Sequence, residues 1–293
     1  MHHLVTDGWS CGALFEELRI LYAGSPAELP PMRWQYPQFV AGLAGGSPGR
    51  HRTGPATRVL ARPADRAAAA APAVPRAATG SHPGVLARDL DAVNADGLRA
   101  LARRHRTTLF TVALAVYYAV LHRVTGQGDL AVASLFANRS RPESQRTVGF
   151  CANMVVLRTR LPPFATFAAL VQATHATTAA AFAKQEQPYQ AVPTGSANLG
   201  GRVDDVVFQM MAELTHRVRA GDTEFELLVP EAIGSRFGTE LALAPRGDGM
   251  RVVLFHTPRL APTDALRLLD GYVTVARAIV ANPAAALSTL LRR

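Results

Sequence analysis

"MHHLVTDGWS" fills residues 1–10, and its reading decides both the fold and the chemistry. Two adjacent histidines, His2 and His3, are followed by Leu4, Val5 and Thr6 and then by Asp7 and Gly8. A neutral imidazole, with a reference pKa near 6.5, accepts a proton at neutral pH. A well-placed general base contributes about 10²–10⁴-fold in rate. Asp7 is suited to brace the loop through an ion pair or hydrogen bonds, and Gly8 permits a tight backbone turn into a helix. That helix reads as capped by Ser10. Leu14, Phe15, Leu18, Leu21 and Tyr22 fall on one of its faces, and Gly24 suits its C-terminal stop.

Other readings of the two histidines stand beside the catalytic one. Two histidines after Met1 are too few for a purification tag. A zinc site needs a third and fourth ligand, and the remaining histidines have no metal-like spacing, so no metal is expected. A buried structural pair stays open on these residues alone.

The rest of the chain bounds the problem. Its 293 residues suffice for one large domain or two ordinary ones. No apolar run reaches the roughly 18 residues that cross a membrane, and no basic-then-apolar leader opens the chain. Cys11 and Cys151 form neither a ligand pair nor a disulfide framework by spacing, so a cytoplasmic, reducing compartment is expected. The net charge is +9 and Lys184 is the only lysine. Residues 45–80 hold Arg50, Arg52, Arg58, Arg62, Arg66 and Arg76 against the single acid Asp65. That stretch has no Phe, Tyr or Trp for base stacking, so it reads as a solvated linker rather than a nucleic-acid groove.

Periodicity places a short helix near Tyr36–Leu43 and an Arg/Ala/Pro-rich linker or degraded segment over 45–82. After it, strands are expected at Val85–Leu90, Asp129–Phe136, Asn153–Leu161, Asp205–Leu214, Glu224–Val229, Thr239–Leu243 and Met250–His256. Helices are expected at Asn94–Arg106, Thr108–Val124, Phe164–Ala183, Pro262–Ala281 and near Ala284–Leu291. Residues 83–293 therefore read as an α/β unit of one domain's size, and 1–44 as helices without strands to pack on.

His2-His3-Leu4-Val5-Thr6-Asp7-Gly8, continued by Trp9-Ser10, resembles the HHxxxDG signature of nonribosomal-peptide-synthetase condensation domains. Further matches occur in the family's order. Leu29-Pro30-Pro31 with Gln35-Tyr36 resembles "LPP…QY", and Arg103-Arg104-His105 with Thr107 to Phe110 resembles "ARRHGATLF". His122-Arg123 through Asp129 resembles "HRYTGQDD", and Ala137-Asn138-Arg139 resembles "ANR". Val148-Gly149-Phe150-Cys151-Ala152-Asn153 with Arg158 resembles "IGFFVNTLVLR". Gln185 to Tyr189 resembles a degraded "HQDLPFE", and Val207-Phe208-Gln209 resembles "PLFQ". The likeness runs from residue 1 to about residue 290, with 45–80 as a gap.

The resemblance implies a chloramphenicol-acetyltransferase-like α/β fold, a mixed sheet flanked by helices. It implies amide formation by attack of an acceptor amine on a donor thioester held by a carrier protein. No cofactor is bound directly; substrates ride on the phosphopantetheine of carrier proteins. The implied partners are peptidyl or aminoacyl carrier protein domains and an adenylation domain of the same assembly line, with no nucleic acid and no membrane. His3 carries the catalytic role, as general base or as positioner of the amine, beside His2. Asp7 is mainly structural, and Asn153 lines the substrate tunnel.

Several features depart from that pattern. In the family most of the first lobe precedes the signature, whereas here only Met1 does. The expectation is a remnant of the first lobe over 1–44 and a complete second lobe over 83–293. The helix after Gly8 would then expose an apolar stripe open to self-association. The "YxDYAxW" stretch has lost its Asp and Trp over Tyr36–Gly42, and Lys184, Gln187 and Gln190 stand in the degraded sixth motif. A non-catalytic carrier-protein-binding remnant and a stand-alone acyltransferase of the same superfamily remain the alternatives.

Overall fold

The helix Leu109–Thr125 has the sequence LFTVALAVYYAVLHRVT, in which every position from Thr111 to Leu121 is buried. A helix apolar all round must be covered on every side, and the fold is arranged to do so. A computed structural model describes residues 4–43, 84–161, 166–189, 205–211, 217–226 and 237–290. His2, His3 and the expected linker over 45–82 lie outside the described residues.

In chain order the helices are α1 (Gly8–Tyr22), α2 (Tyr36–Leu43), α3 (Ala92–Arg104), α4 (Leu109–Thr125), α5 (Phe167–Phe182), α6 (Pro262–Ala281) and α7 (Leu287–Leu290). The strands are β1 (Gly84–Leu90), β2 (Asp129–Phe136), β3 (Asn153–Arg160), β4 (Val206–Met210), β5 (Arg217–Ala220), β6 (Thr223–Glu226), β7 (Thr239–Arg246) and β8 (Gly249–His256). Six strands form one mixed sheet in the order β1-β8-β7-β4-β2-β3, in which β7-β4 and β4-β2 are parallel and the other pairs antiparallel. Helices α3, α4 and α6 pack on it, with α5 against α4 and β3. Val132, Phe208, Leu241 and Leu254 meet Tyr117, Leu268 and Tyr272 in the shared core. The Tyr118 hydroxyl donates to Leu157 O and the Tyr272 hydroxyl to Ala113 O, so these two rings bring partnered polar tips into that core. Among the described residues no single helix is long and apolar enough to cross a membrane.

Local chemistry accounts for the boundaries that differ from expectation. The cap of α1 is Asp7, not Ser10: Asp7 is extended and its side chain accepts the Ser10 N–H. Gly8 is the first residue of α1 rather than a turn residue, and a Cβ there would meet nothing within 4 Å. The face of α1 that turns inward carries Ser10 and Ile20, while Leu18, Leu21 and Tyr22 are exposed. Helix α3 starts at Ala92 because Asp91 caps it. Strand β7 continues past the expected Leu243 through Pro245. Its pairing to β4 ends at Leu243, so the missing proline N–H breaks no bond on that side.

The hairpin β5–β6 adds a strand that periodicity did not single out at Arg217–Ala220. Gly221 opens its two-residue turn with φ +58°, as a type II′ turn requires. This hairpin stands apart from the main sheet and lies against α1, with Phe225 edge-on to Tyr22 at 4.6 Å.

Candidate functional site

The site is built on the loop between β2 and β3, residues 137–152, which receives both N-terminal helices. From α1, Trp9 Nε1 donates to Gln145 O at 2.8 Å and Glu17 pairs with Arg146 at 3.0 Å. Near α2, Thr147 Oγ1 donates to Trp34 O, the Tyr36 hydroxyl donates to Phe150 O, and the Tyr36 ring covers Gly149. A Cβ on Gly149 would fall 2.3 Å from Tyr36 Cδ2, so only glycine admits this approach.

At the centre is a buried polar knot. Asp7 Oδ2 accepts from Arg139 Nη1 at 2.9 Å, Cys151 N at 3.0 Å and Ala152 N at 3.1 Å. Asp7 Oδ1 accepts from Ser10 N at 2.9 Å and Arg139 Nη2 at 3.0 Å. The Ser10 hydroxyl sits 2.8 Å from Asp7 Oδ1 and 2.9 Å from Gly149 O, and its one proton serves both acceptors. It also accepts from Arg139 Nη2 at 2.9 Å and Gly149 N at 3.1 Å. Arg139 further donates to Thr147 O and Ala137 O, and its guanidinium lies 6.0 Å from the Trp9 ring centroid. Burial pushes the Asp7 carboxyl up, but the bonds from Arg139 and Ser10 outweigh it and hold the group below the usual carboxylate range.

A cavity of about 640 Å³ opens on the other side of the same segment. Its wall includes Phe150, then Cys151 and Ala152, the two residues whose N–H groups hold Asp7, and Tyr36, Phe39 and Val40 of α2. Leu135, Met154, Tyr189 and Phe237 complete much of the apolar lining. Burial pushes the Cys151 thiol up to about 11, with Arg139 opposing and Asp7 reinforcing that rise.

Of the residues singled out from sequence, Asp7 is placed in the knot and Gly8 opens α1 beside it. Asn153 lines the cavity, yet its amide is engaged elsewhere. Its Nδ2 donates to Gln185 O at 2.8 Å and Gln187 O at 2.5 Å, and its Oδ1 accepts from Tyr189 N at 3.1 Å. Sequence reasoning gave no role to Arg139, and it read Ser10 as the helix cap rather than as the hydroxyl that joins Asp7 to Gly149. Arg139 was visible only as part of Ala137-Asn138-Arg139, because nothing local identifies a partner 132 positions away. Among the described residues no cluster of three or more His, Cys, Asp or Glu side chains is arranged to hold a metal ion.

The whole chain is condensation-domain sequence: residues 1–291 match the condensation-domain family, and the chain belongs to it. It is 30% identical over 309 residues to nonribosomal peptide synthetase kk1B of Curvularia clavata, covering 99% of this chain and 2% of that protein. It is 29% identical over 314 residues to phosphinothricin tripeptide synthetase PhsC of Streptomyces viridochromogenes, covering 99% of this chain and 28% of that protein. The fold resembles the first condensation domain of the calcium-dependent antibiotic synthetase, with TM-score 0.78 and 22% identity, over 98% of this chain and 64% of that one. It also resembles holo-AB3403, a four-domain nonribosomal peptide synthetase bound to AMP and glycine, with TM-score 0.63 and 16% identity, over 74% of this chain and 18% of that one. The chain thus spans a small part of the synthetases it matches, and the expected α/β fold with a helix-flanked mixed sheet stands.

Proposed function

We propose that this chain forms an amide bond between an acceptor amine and a donor acyl group held as a thioester on the phosphopantetheine of a carrier protein. The amine nitrogen attacks the thioester carbonyl, the C–S bond breaks, and the thiol of the phosphopantetheine leaves. His3 takes the proton that the amine loses and returns it to the departing sulfur. His2 and Gly8 hold the shape of the loop, and Asp7 is the anchor.

One observation carries this reading: the knot that fixes Asp7 shares its backbone with the cavity wall at Cys151 and Ala152. Four residues of extended chain span at most about 14 Å, so the covalent chain tethers His3 within that distance of the fixed Asp7. An active-site base works when a supporting shell holds it in place, and Arg139, Ser10 and the loop 137–152 are that shell. Carrier protein domains and an adenylation domain of one assembly line are the proposed partners, working in the cytoplasm. The exposed Leu18, Leu21 and Tyr22 on α1 are the proposed surface of self-association.

The test is amide formation between carrier-bound donor and acceptor amino acids. His3→Ala should lower the rate about 10²–10⁴-fold, while His2→Ala should act mainly through stability. Equal rates for wild type and His3→Ala would overturn the assignment. Carrier binding without any product would favour a non-catalytic binding module.

A further inference from the structure

We propose that the face made by α5 and the α3–α4 turn is a docking surface for an acidic carrier-protein domain. The identity of the partner rests on the condensation reading; the face itself is defined by its charge and exposure.

Helix α5, FAALVQATHATTAAAF, contains no Asp, Glu, Lys or Arg. A surface helix ordinarily turns charged and polar residues to solvent. Here the solvent side carries Ala176, Ala179 and Ala180 and ends on Phe182, which is 62% exposed. Small side chains let a second helix come close, because the distance between packed helices is set by the residues at the contact. The Phe182 ring is held from beneath: it lies 6.1 Å from the Phe136 ring, which meets Phe110 edge-on at 6.0 Å. A fixed, exposed aromatic ring is the kind of residue on which protein interfaces anchor.

Beside this face stand Arg103, Arg104 and Arg106, all exposed. Thr107 Oγ1 lies 2.8 Å from His175 Nδ1, and Thr111 Oγ1 lies 3.2 Å from Thr178 Oγ1, so the turn and α5 form one continuous surface. Elsewhere exposed arginines are neutralised: Arg88 by Asp270, Arg246 by Asp89 and Arg267 by Asp264. Among the described residues no ion pair involves Arg103, Arg104 or Arg106. The sequence gives the reason, since neither 97–128 nor 144–185 contains an Asp or Glu. Three uncompensated positive charges beside an uncharged helix attract an acidic partner and repel a basic one.

The face also stands where a carrier is needed. The end of α5 leads directly into the segment that Asn153 holds by its main chain, and Glu186 of that segment lines the cavity. Phe182 is four residues from Glu186, so the two lie within about 14 Å of each other. A domain seated on α5 therefore stands beside the cavity that its tethered acyl group has to reach.

Fluorescence anisotropy of a dye-labelled, acidic carrier domain of a nonribosomal peptide synthetase, kept free of phosphopantetheine, reads docking to the full chain without turnover. Binding should weaken as salt rises from about 50 mM to about 300 mM. The triple variant Arg103→Glu/Arg104→Glu/Arg106→Glu should bind at least about tenfold more weakly. Arg219→Glu/Arg259→Glu/Arg267→Glu makes the same change of charge elsewhere and should stay within about twofold of wild type. Ala176→Trp and Phe182→Ser, both at exposed positions, should each weaken binding about fivefold or more, and they carry the test if the charge-reversed triple does not fold. Equal losses in the two triples would mean attraction by net charge alone and would overturn the surface. So would wild-type binding in Ala176→Trp and Phe182→Ser, or no docking by wild type. A dimer of this chain that Ala176→Trp dissociates would put a second copy, not a carrier, on α5. Docking here by a chain that condenses nothing would sink the catalytic reading and leave the surface standing. Condensation at the wild-type rate by the Arg103, Arg104 and Arg106 triple, at limiting carrier, would do the reverse.

Discussion

Arg139 and Asp7 meet across 132 positions of sequence in a two-point ion pair, with Nη1–Oδ2 at 2.9 Å and Nη2–Oδ1 at 3.0 Å. Both side chains are almost wholly removed from solvent, at 1% and 5% exposure. Removing one partner leaves a buried charge uncompensated, which costs about 3–5 kcal/mol. Asp7→Ala and Arg139→Ala should each shift the urea midpoint accordingly, and the double variant should lose much less than the two losses added. Additive losses would show that the two residues act independently.

The same carboxylate makes stability depend on pH. Its folded pKa lies below the usual range, so its contribution is present above the unfolded value of about 3.9. It is lost as pH falls from there through the folded value. Asp129 adds to this in the same window: burial raises its carboxyl, and Arg158 and Arg160 more than reverse that. Stability measured between pH 5 and pH 2 should fall toward acid, and Asp7→Asn should flatten part of the slope. An unchanged slope in Asp7→Asn would remove Asp7 from the account.

Ser10→Ala tests the hydroxyl that welds α1 to the loop. It removes contacts to Asp7, Arg139 and Gly149 at a site with no exposure. Loss of a buried group with several partners costs roughly 1–3 kcal/mol. The variant should lose that much in thermal or urea unfolding, and amide exchange near Gly149 should accelerate.

Gly149→Ala drives a methyl into the Tyr36 ring. The ring must move, releasing its hydroxyl from Phe150 O and shifting the first turn of α2. Overpacking of this kind costs about 1–3 kcal/mol. Tyr36→Ala should restore part of the loss in the double variant; no restoration would place the strain elsewhere.

Cys151 is the cavity thiol, 2% exposed and pushed up to about 11. The thiolate is the reactive form. Iodoacetamide at pH 8 should therefore modify Cys151 slowly in the folded protein and rapidly in urea, as read by peptide mass. Rapid labelling of the native chain would mean that the cavity wall opens.

The legible part of the fold was the part in which side chains repeat. The 3.6 period found α4 and α6, α2 fell on the expected Tyr36–Leu43, and Gly24 follows the end of α1 with positive φ. Strand ends were missed where tertiary context decides, as at Pro245, whose freed side is visible only once β4 is known to stop short. The site was half legible. Asp7 stood out by its motif, whereas Arg139 gains meaning only through a partner 132 positions away, and Ser10, read as a cap, only through its contact to Gly149.

Asn153 shows why the segment 184–189 reads so poorly as sequence. Its amide grips the carbonyls of residues 185 and 187, which every amino acid supplies, and the N–H of 189, which every one but proline supplies. For this grip the side chains there are interchangeable labels on one peptide scaffold. A change of side chain at 187 leaves this grip in place, because the bond is made to the carbonyl and not to the side chain. A bond made to main chain tolerates changes of letter that a bond made to a side chain does not.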